Sequence, residues 1–317
     1  MQATGRPAGR PEAGHGDDRE AVRAKRAVAI GLGALWTFDG LLQLQPSMFT
    51  GSLAGTVAGS LMSLPPAIYF ASLGFIEGFF RGNVAALDVG IAAIQVGLGV
   101  SILAGGERAR RAALALSILW AAAVWVLGEG MAGVFGATMA GGVFPGTPCI
   151  ASGFPGAAAV YAVAAVLLLV PDARWRLSGR FSVVRDAPAL LFLGCAAVQA
   201  APLMWTTYGQ LSIFASNAGS LPPALAGAAA ALKTLAAGYP VATNLLEVGA
   251  CLAAGVGLLT LSRWGVAFAL GWLAFIWVFP LALAGLLTGA GTDPSTPPAL
   301  ALLIVPAALE AGRRAQR

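Results

Sequence analysis

Histidine is nearly missing: His15 is the sole example in 317 residues, and it lies in a polar N-terminal stretch. Haem or copper ligation by imidazole inside an apolar core is thereby excluded. Cysteine is scarce as well. Cys149, Cys195 and Cys251 form no C-x-x-C pair, so neither a disulfide framework nor a zinc site is indicated, and no cofactor motif is evident. Charge is the third shortage, with 10% of residues charged and 58% hydrophobic, where soluble domains carry about 25% charged residues. Together with a mean hydropathy of +0.79, this excludes a water-soluble globule. The alternation of an outer-membrane barrel is lacking too.

What is present is a series of apolar stretches approaching the roughly 20 residues that carry a helix across about 30 Å of hydrocarbon. The expected class is an all-α polytopic membrane protein. Eight spans are expected, at residues 27–45, 84–104, 112–135, 156–171, 188–205, 241–261, 265–287 and 298–311. Residues 1–26, rich in Arg, Gly, Pro and acids, read as a disordered tail rather than a signal peptide. Residues 172–187 read as a linker and 312–317 as a second tail.

The net charge of +5 does not point to nucleic acid, because the basic residues sit in short loops. All but Arg81 and Lys233 of the 19 fall on one face of the eight-span arrangement, which by the positive-inside rule places both termini in the cytoplasm of a bacterium, with the chain in its plasma membrane. Arg81 and Lys233 read as solvated charges that can pair with Glu77 or Asp293.

The chain also repeats itself. W-T-F-D-G (36–40) answers W-T-T-Y-G (205–209), S-M-F (47–49) answers S-I-F (212–214), and S-L-P-P-A occurs at 63–67 and 220–224. L-D-V-G (87–90) answers L-E-V-G (246–249), and Trp125 and Trp277 are each followed by Ala-Gly seven residues on. Two four-helix repeats are therefore expected, 27–171 and 188–311. An even number of spans in each makes them parallel, related by an axis along the membrane normal. Each carries an outer insert, 46–83 and 206–240, too apolar for a free loop. Gly51, Gly55 and Gly59 are spaced for close helix approach, and Ser63 with Pro65-Pro66 restarts an interfacial helix bearing Tyr69, Phe70, Phe75, Phe79 and Phe80.

Residues 245–270, with an acid near the start of a span, a glycine-rich continuation, a short basic turn and another apolar span, resemble the DoxX-like family of small four-helix membrane proteins; residues 86–120 resemble it less closely. The resemblance implies two fused units of that family, whose members include quinone-linked sulfur-oxidation subunits and proteins of thiol redox or amine-oxidase maturation. It makes quinone the one cofactor to consider and a redox protein a possible partner. The long inserts and the lack of a paired-cysteine motif depart from a thiol-redox member.

Ionisable groups within a bilayer are functional-site hypotheses by default. Asp39, Asp88, Glu129 and Glu247 qualify, all toward the outer half, which suggests an acidic vestibule facing outward. Gln43, one turn beyond Asp39, shares its face. Asn244 and Glu247 have capping-box spacing, and Asp88 also suits a helix N-terminus, so these two acids carry a structural reading beside the functional one. G-E-G-M-A-G (128–133) matches a dinucleotide-binding pattern but lies within an expected span without a preceding strand, so the match is rejected. Gln95 and Gln199 read as interhelical glue, Cys149 as an exposed outer thiol, and Cys195 and Cys251 as core residues.

With no cation in the spans to neutralise the acids, a proton, a cation or a small polar solute is the expected ligand. Asp39 and Glu129 face Tyr208 and Leu281 in the second repeat, which assigns the chemistry to the first. Three functions remain open: a carrier for a small solute or cation, a quinone-linked or redox-accessory subunit, and a scaffold for a partner protein. Enzymatic activity is neither indicated nor excluded.

Overall fold

The computed structural model describes residues 13–50, 52–135, 137–139, 142–144, 148–176, 181–214 and 221–314. Helix dominates: α1 (Ala13–Leu42), α2 (Ser52–Leu61), α3 (Pro66–Ala104), α4 (Glu107–Leu127), α5 (Ala157–Leu169), α6 (Val183–Gln199), α7 (Thr207–Ile213), α8 (Pro223–Gly238), α9 (Pro240–Leu259), α10 (Arg263–Val278) and α11 (Thr296–Arg314). A short antiparallel hairpin of β1 (Ala137–Met139) and β2 (Gly142–Phe144) follows α4.

Among the described residues three helical segments are long and apolar enough to cross a membrane: Asn83–Ala104, Glu107–Leu127 and Pro240–Leu259. A fourth is counted if Arg263–Val278 and Ala282–Thr288, bent by 50°, form one broken span. Only 22% of the most apolar window of α4 is buried inside the protein, so most of its surface is left for lipid. Leu116 and Leu119 on α4, and Leu246 and Val256 on α9, point outward. In water such a surface would drive aggregation; in hydrocarbon it costs nothing. Exposed Trp264 begins α10, while exposed Tyr239 and Tyr208 flank the starts of α9 and α7, the places where amphipathic rings meet headgroups.

Several boundaries depart from expectation. Residues 13–26 are helical, continuing α1, because their charges find partners: Lys25 pairs with Asp172 at 2.7 Å, Arg176 with Asp18 at 2.5 Å, and Arg313 with Glu20 at 3.0 Å. These pairs join the first half of α1 to the segment after α5 and to the end of α11. The third expected span stops at Leu127 rather than 135, and the fifth at Gln199 rather than 205. The interfacial helix expected after Pro65-Pro66 exists but runs on into the second span, with a break at Asn83 (φ −142°). In the second half the corresponding helices, α8 and α9, are separate, parted at Tyr239-Pro240. Pro lies at the N-terminus of α3 and of α8, where its missing N–H costs nothing. The side chains of Phe75, Phe79 and Phe80, and Gly51, lie outside the described residues.

Gly55 and Gly59 face open space, so these two glycines do not bring α2 close to another helix. The close approach is elsewhere. A methyl group on Gly99 of α3 would sit 2.5 Å from the Gly33 carbonyl oxygen of α1, which makes that crossing one of backbone on backbone. The W-T-F-D-G and W-T-T-Y-G motifs are not structurally equivalent: the first lies inside α1, the second crosses a 3-10 turn and the start of α7. Asp39 and Tyr208 therefore do not occupy matching places. Better correspondence follows α4 and α10. After α4, Gly130, Met131, Ala132 and Gly133 all take left-handed φ (54 to 71°), and after α10 Ala282, Leu283, Ala284 and Gly285 do the same (45 to 68°).

Candidate functional site

The first four long helices leave a cavity of about 440 Å³ at one end of the bundle. The last turns of α1 contribute Trp36, Asp39 and, just beyond, Gln43; the part of α3 after its break contributes Gly90, Ile91, Ile94 and Gln95. Trp120, Val124 and Leu127 come from α4, followed by Glu129 from the loop, Tyr161 from α5, and Thr292 and Asp293 from the loop before α11. The walls are mainly apolar, with a few polar groups converging from different elements, as in small-molecule sites generally.

Trp36 fixes one side. Its Nε1–H donates to Ser117 Oγ of α4 at 2.7 Å, and its ring meets Tyr161 edge-on at 4.9 Å between centroids. Asp39 and Gln43 are buried (2% and 5% exposed) and both line the cavity, as one helix face requires. Asp39 lies beside the Tyr161 hydroxyl and faces the carboxyls of Asp293 and Glu129. Asp39 Oδ1, Gln43 Oε1, Gln95 Oε1, Glu129 Oε2 and Trp120 Nε1 have no hydrogen-bond partner among the described residues. Leaving such groups dry and unpaired costs on the order of 1–3 kcal/mol each, which marks the space as one meant to be filled by water or ligand.

Glu129 is not inside a helix, contrary to expectation. The chain leaves α4 at Leu127, and the left-handed turn that begins at Gly130 swings it back; a side chain at Gly130 would place Cβ 2.2 Å from the Ser60 carbonyl oxygen. This puts Glu129 Oε1 2.9 Å from the Ala158 N–H, at the open N-terminus of α5, whose own N-cap residue, Gly156, supplies no side chain. One oxygen is thus engaged by helix α5 and the other is unpartnered. Asp293 was not singled out as a site residue from sequence. Its carboxyl accepts from Ser295 N–H (2.7 Å) and Thr292 Oγ1 (3.1 Å), and burial pushes it above the ordinary carboxylate range against those two bonds. An acid in an Asp-Pro loop reads as turn chemistry, so nothing local flagged it.

A second space of about 210 Å³ adjoins the first and is lined by Ser152, Gly153, Ser295 and Thr296. Glu129, Ala157, Thr292 and Asp293 belong to both. The two acids stand between an inner, mainly apolar chamber and a more polar outer one.

The other proposed residues lie elsewhere. Asp88 is fully buried on α3, with neither carboxyl oxygen partnered, and does not line the cavity. Glu247 sits inside α9, whose N-cap position is Tyr239, so the capping-box reading of Asn244 and Glu247 fails. Instead Gln199 Nε2 donates to Asn244 Oδ1 at 2.8 Å and to Glu247 Oε2 at 2.5 Å, and Gln210 Nε2 reaches the same Glu247 oxygen at 3.2 Å. Here the amides occupy the acid. Cys149 is not exposed: it is buried, caps a 3-10 turn through Sγ with Ser152 N–H at 3.2 Å, and burial pushes its thiol up to about 12. Among the described residues no group of three or more His, Cys, Asp or Glu side chains is placed to hold a metal ion.

No family model, curated protein or solved structure matches the chain.

Proposed function

We propose that the chain is an eight-span protein of a bacterial plasma membrane, built from two parallel four-helix repeats with both termini in the cytoplasm, and that its first repeat is a carrier for a small solute or cation. The matching left-handed turns after α4 and α10, and the S-L-P-P-A helix starts, support the repeat reading. The clustering of ion pairs at the end of the bundle opposite the cavity supports the orientation. On this reading the cavity opens outward, and the DoxX-like resemblance describes the ancestry of each repeat.

The observation that carries the carrier reading is the cavity itself, in which Asp39, Gln43 and Glu129 meet beneath an outer chamber. Asp88 and Glu247 are then ancillary, and Glu247 braces α9 through Gln199 and Gln210. The test is flux of protons and of a panel of labelled small solutes in proteoliposomes under an imposed gradient. Wild type is expected to conduct, and Asp39→Asn and Glu129→Gln to lose the flux; unchanged flux in both variants rejects the site. A cysteine placed at Thr292 should label from the outer face only.

One observation favours a second reading, a quinone-linked accessory subunit. The Trp120 indole N–H is a donor without a partner among the described residues, set in an apolar wall and suited to a carbonyl oxygen of a quinone ring. Organic extraction of the purified protein decides it: stoichiometric quinone supports this reading, and a quinone-free preparation removes it.

A further inference from the structure

We propose that the ligand of the cavity is a lipophilic organic cation bearing N–H donors, such as a protonated primary amine on an aromatic or alkyl body. The inference deepens the carrier reading and rests on it. It starts from the sign of the unmet demand. Four of the unpartnered polar groups lining the cavity present acceptor oxygens: Asp39 Oδ1, Gln43 Oε1, Gln95 Oε1 and Glu129 Oε2. Among the described residues the lining contains no Lys or Arg to answer them, while Asp293 adds a third carboxyl. Trp120 Nε1–H is an unpartnered donor on the same wall, so acceptors outnumber donors there, and the ligand that answers the majority brings N–H donors and, against three carboxyls, positive charge.

The distribution of the acids narrows the class. Asp39 faces Asp293 and Glu129, but among the described residues no three His, Cys, Asp or Glu side chains come together to hold a metal ion, so an inorganic divalent ion lacks a carboxylate shell. An ammonium with three N–H bonds needs only separate acceptors at hydrogen-bond reach. The remaining wall supplies the other half of the ligand. Ile91, Ile94, Val124 and Leu127 form an apolar chamber, and the indoles of Trp36 and Trp120, ring systems of the kind that attract cations, line it with them. A small hydrated cation would leave that surface without a partner, whereas an apolar body removes it from water. Glu129 and Asp293, shared between the outer and inner chambers, lie where a cation passes from one to the other.

The test is binding to the full-length protein in detergent, read by fluorescence of the cavity tryptophans and by calorimetry. Three probes of one shape are compared: 4-phenylbutylammonium, its N,N,N-trimethyl analogue, which keeps the charge without N–H donors, and the neutral alcohol of the same length. The primary amine is expected to bind at least tenfold more tightly than the alcohol and more tightly than the trimethyl analogue. Asp39→Asn should erase the preference for amine over alcohol while the alcohol still binds. Gly90→Phe, which projects a ring from a position where an added Cβ meets nothing within 4 Å, should abolish binding of all three. If the alcohol binds as tightly as the amine in the wild type, the cavity is a binding site but the cation assignment is overturned. If none of the probes binds, or if Gly90→Phe leaves binding intact, the cavity reading falls as well.

Discussion

Removing the Glu129 carboxyl separates two roles that meet in one side chain. Glu129 Oε1 accepts the Ala158 N–H at 2.9 Å, and α5 is a 13-residue helix without a side-chain cap of its own. A helix that short is marginal by itself, so its first turn depends on the incoming carboxylate. With Glu129 ionised, a hydrogen bond to its charged oxygen contributes about 1.5–3 kcal/mol, and its negative charge at a partly buried helix N-terminus up to about 2 kcal/mol, the two overlapping rather than adding. Against this, Oε2 has no partner, and deleting it relieves part of the cost of burying the group. Glu129→Ala is therefore expected to destabilise by about 2 kcal/mol. Glu129→Gln keeps an acceptor oxygen for Ala158 and should lose about 0.5–1 kcal/mol. The assay is reversible unfolding in mixed micelles titrated with SDS, with backbone hydrogen exchange at Ala157 and Ala158 as the local probe. Flux in the same variants completes the separation: Glu129→Gln should be nearly as stable as wild type yet transport poorly. A Glu129→Ala protein as stable as wild type, with unchanged exchange at Ala158, would refute the capping assignment.

The amide network on Glu247 makes a second prediction. Replacing Gln199 and Asn244 by Leu singly and together should give a coupling energy of about 0.6–2 kcal/mol by the same unfolding titration, the range for interhelical hydrogen bonds in bilayers; additivity would show that the 2.8 Å contact carries no stability. The third concerns Cys149, in a Cys195→Ala, Cys251→Ala background. With the thiol pushed up to about 12, maleimide at pH 8 should react about a thousandfold more slowly than with an ordinary thiol, because the thiolate is the nucleophile, and reaction should become fast only after denaturation. Rapid labelling of the folded protein would place Cys149 at the surface after all.

Particular residues show why some of this was legible in the order of amino acids and some was not. Asp39 and Gln43 stand one helical turn apart amid apolar neighbours, and a side chain too polar for its surroundings is a signal that needs no knowledge of tertiary contacts. The same logic found Glu129, although its reason for being there, the bare N-terminus of α5, lies 29 residues away and depends on a turn of reversed handedness. Met131 and Ala132 give no hint of left-handed backbone, since their side chains disfavour it by roughly 1–2 kcal/mol each and only the surrounding structure imposes it. The capping-box reading of Asn244 and Glu247 failed because Tyr239-Pro240 starts α9 earlier, converting both residues from terminal to interior. The W-T-x-x-G pairing failed for a related reason: α6 ends at Gln199, so the second motif is formed by chain that has already left the helix. Asp293, hidden in a loop from the far end of the chain, is visible only once α11 has been folded against α1 and α5.

The three ion pairs that tie the start of α1 to the segment after α5 and to α11 are individually weak, because each is partly open to water. Their placement matters more than their strength. They form a fulcrum at one extremity of the bundle, while the opposite extremity is held by loops around a hollow. Hydrogen exchange is therefore expected to be slower in the backbone beside these ties than in the loops around the hollow.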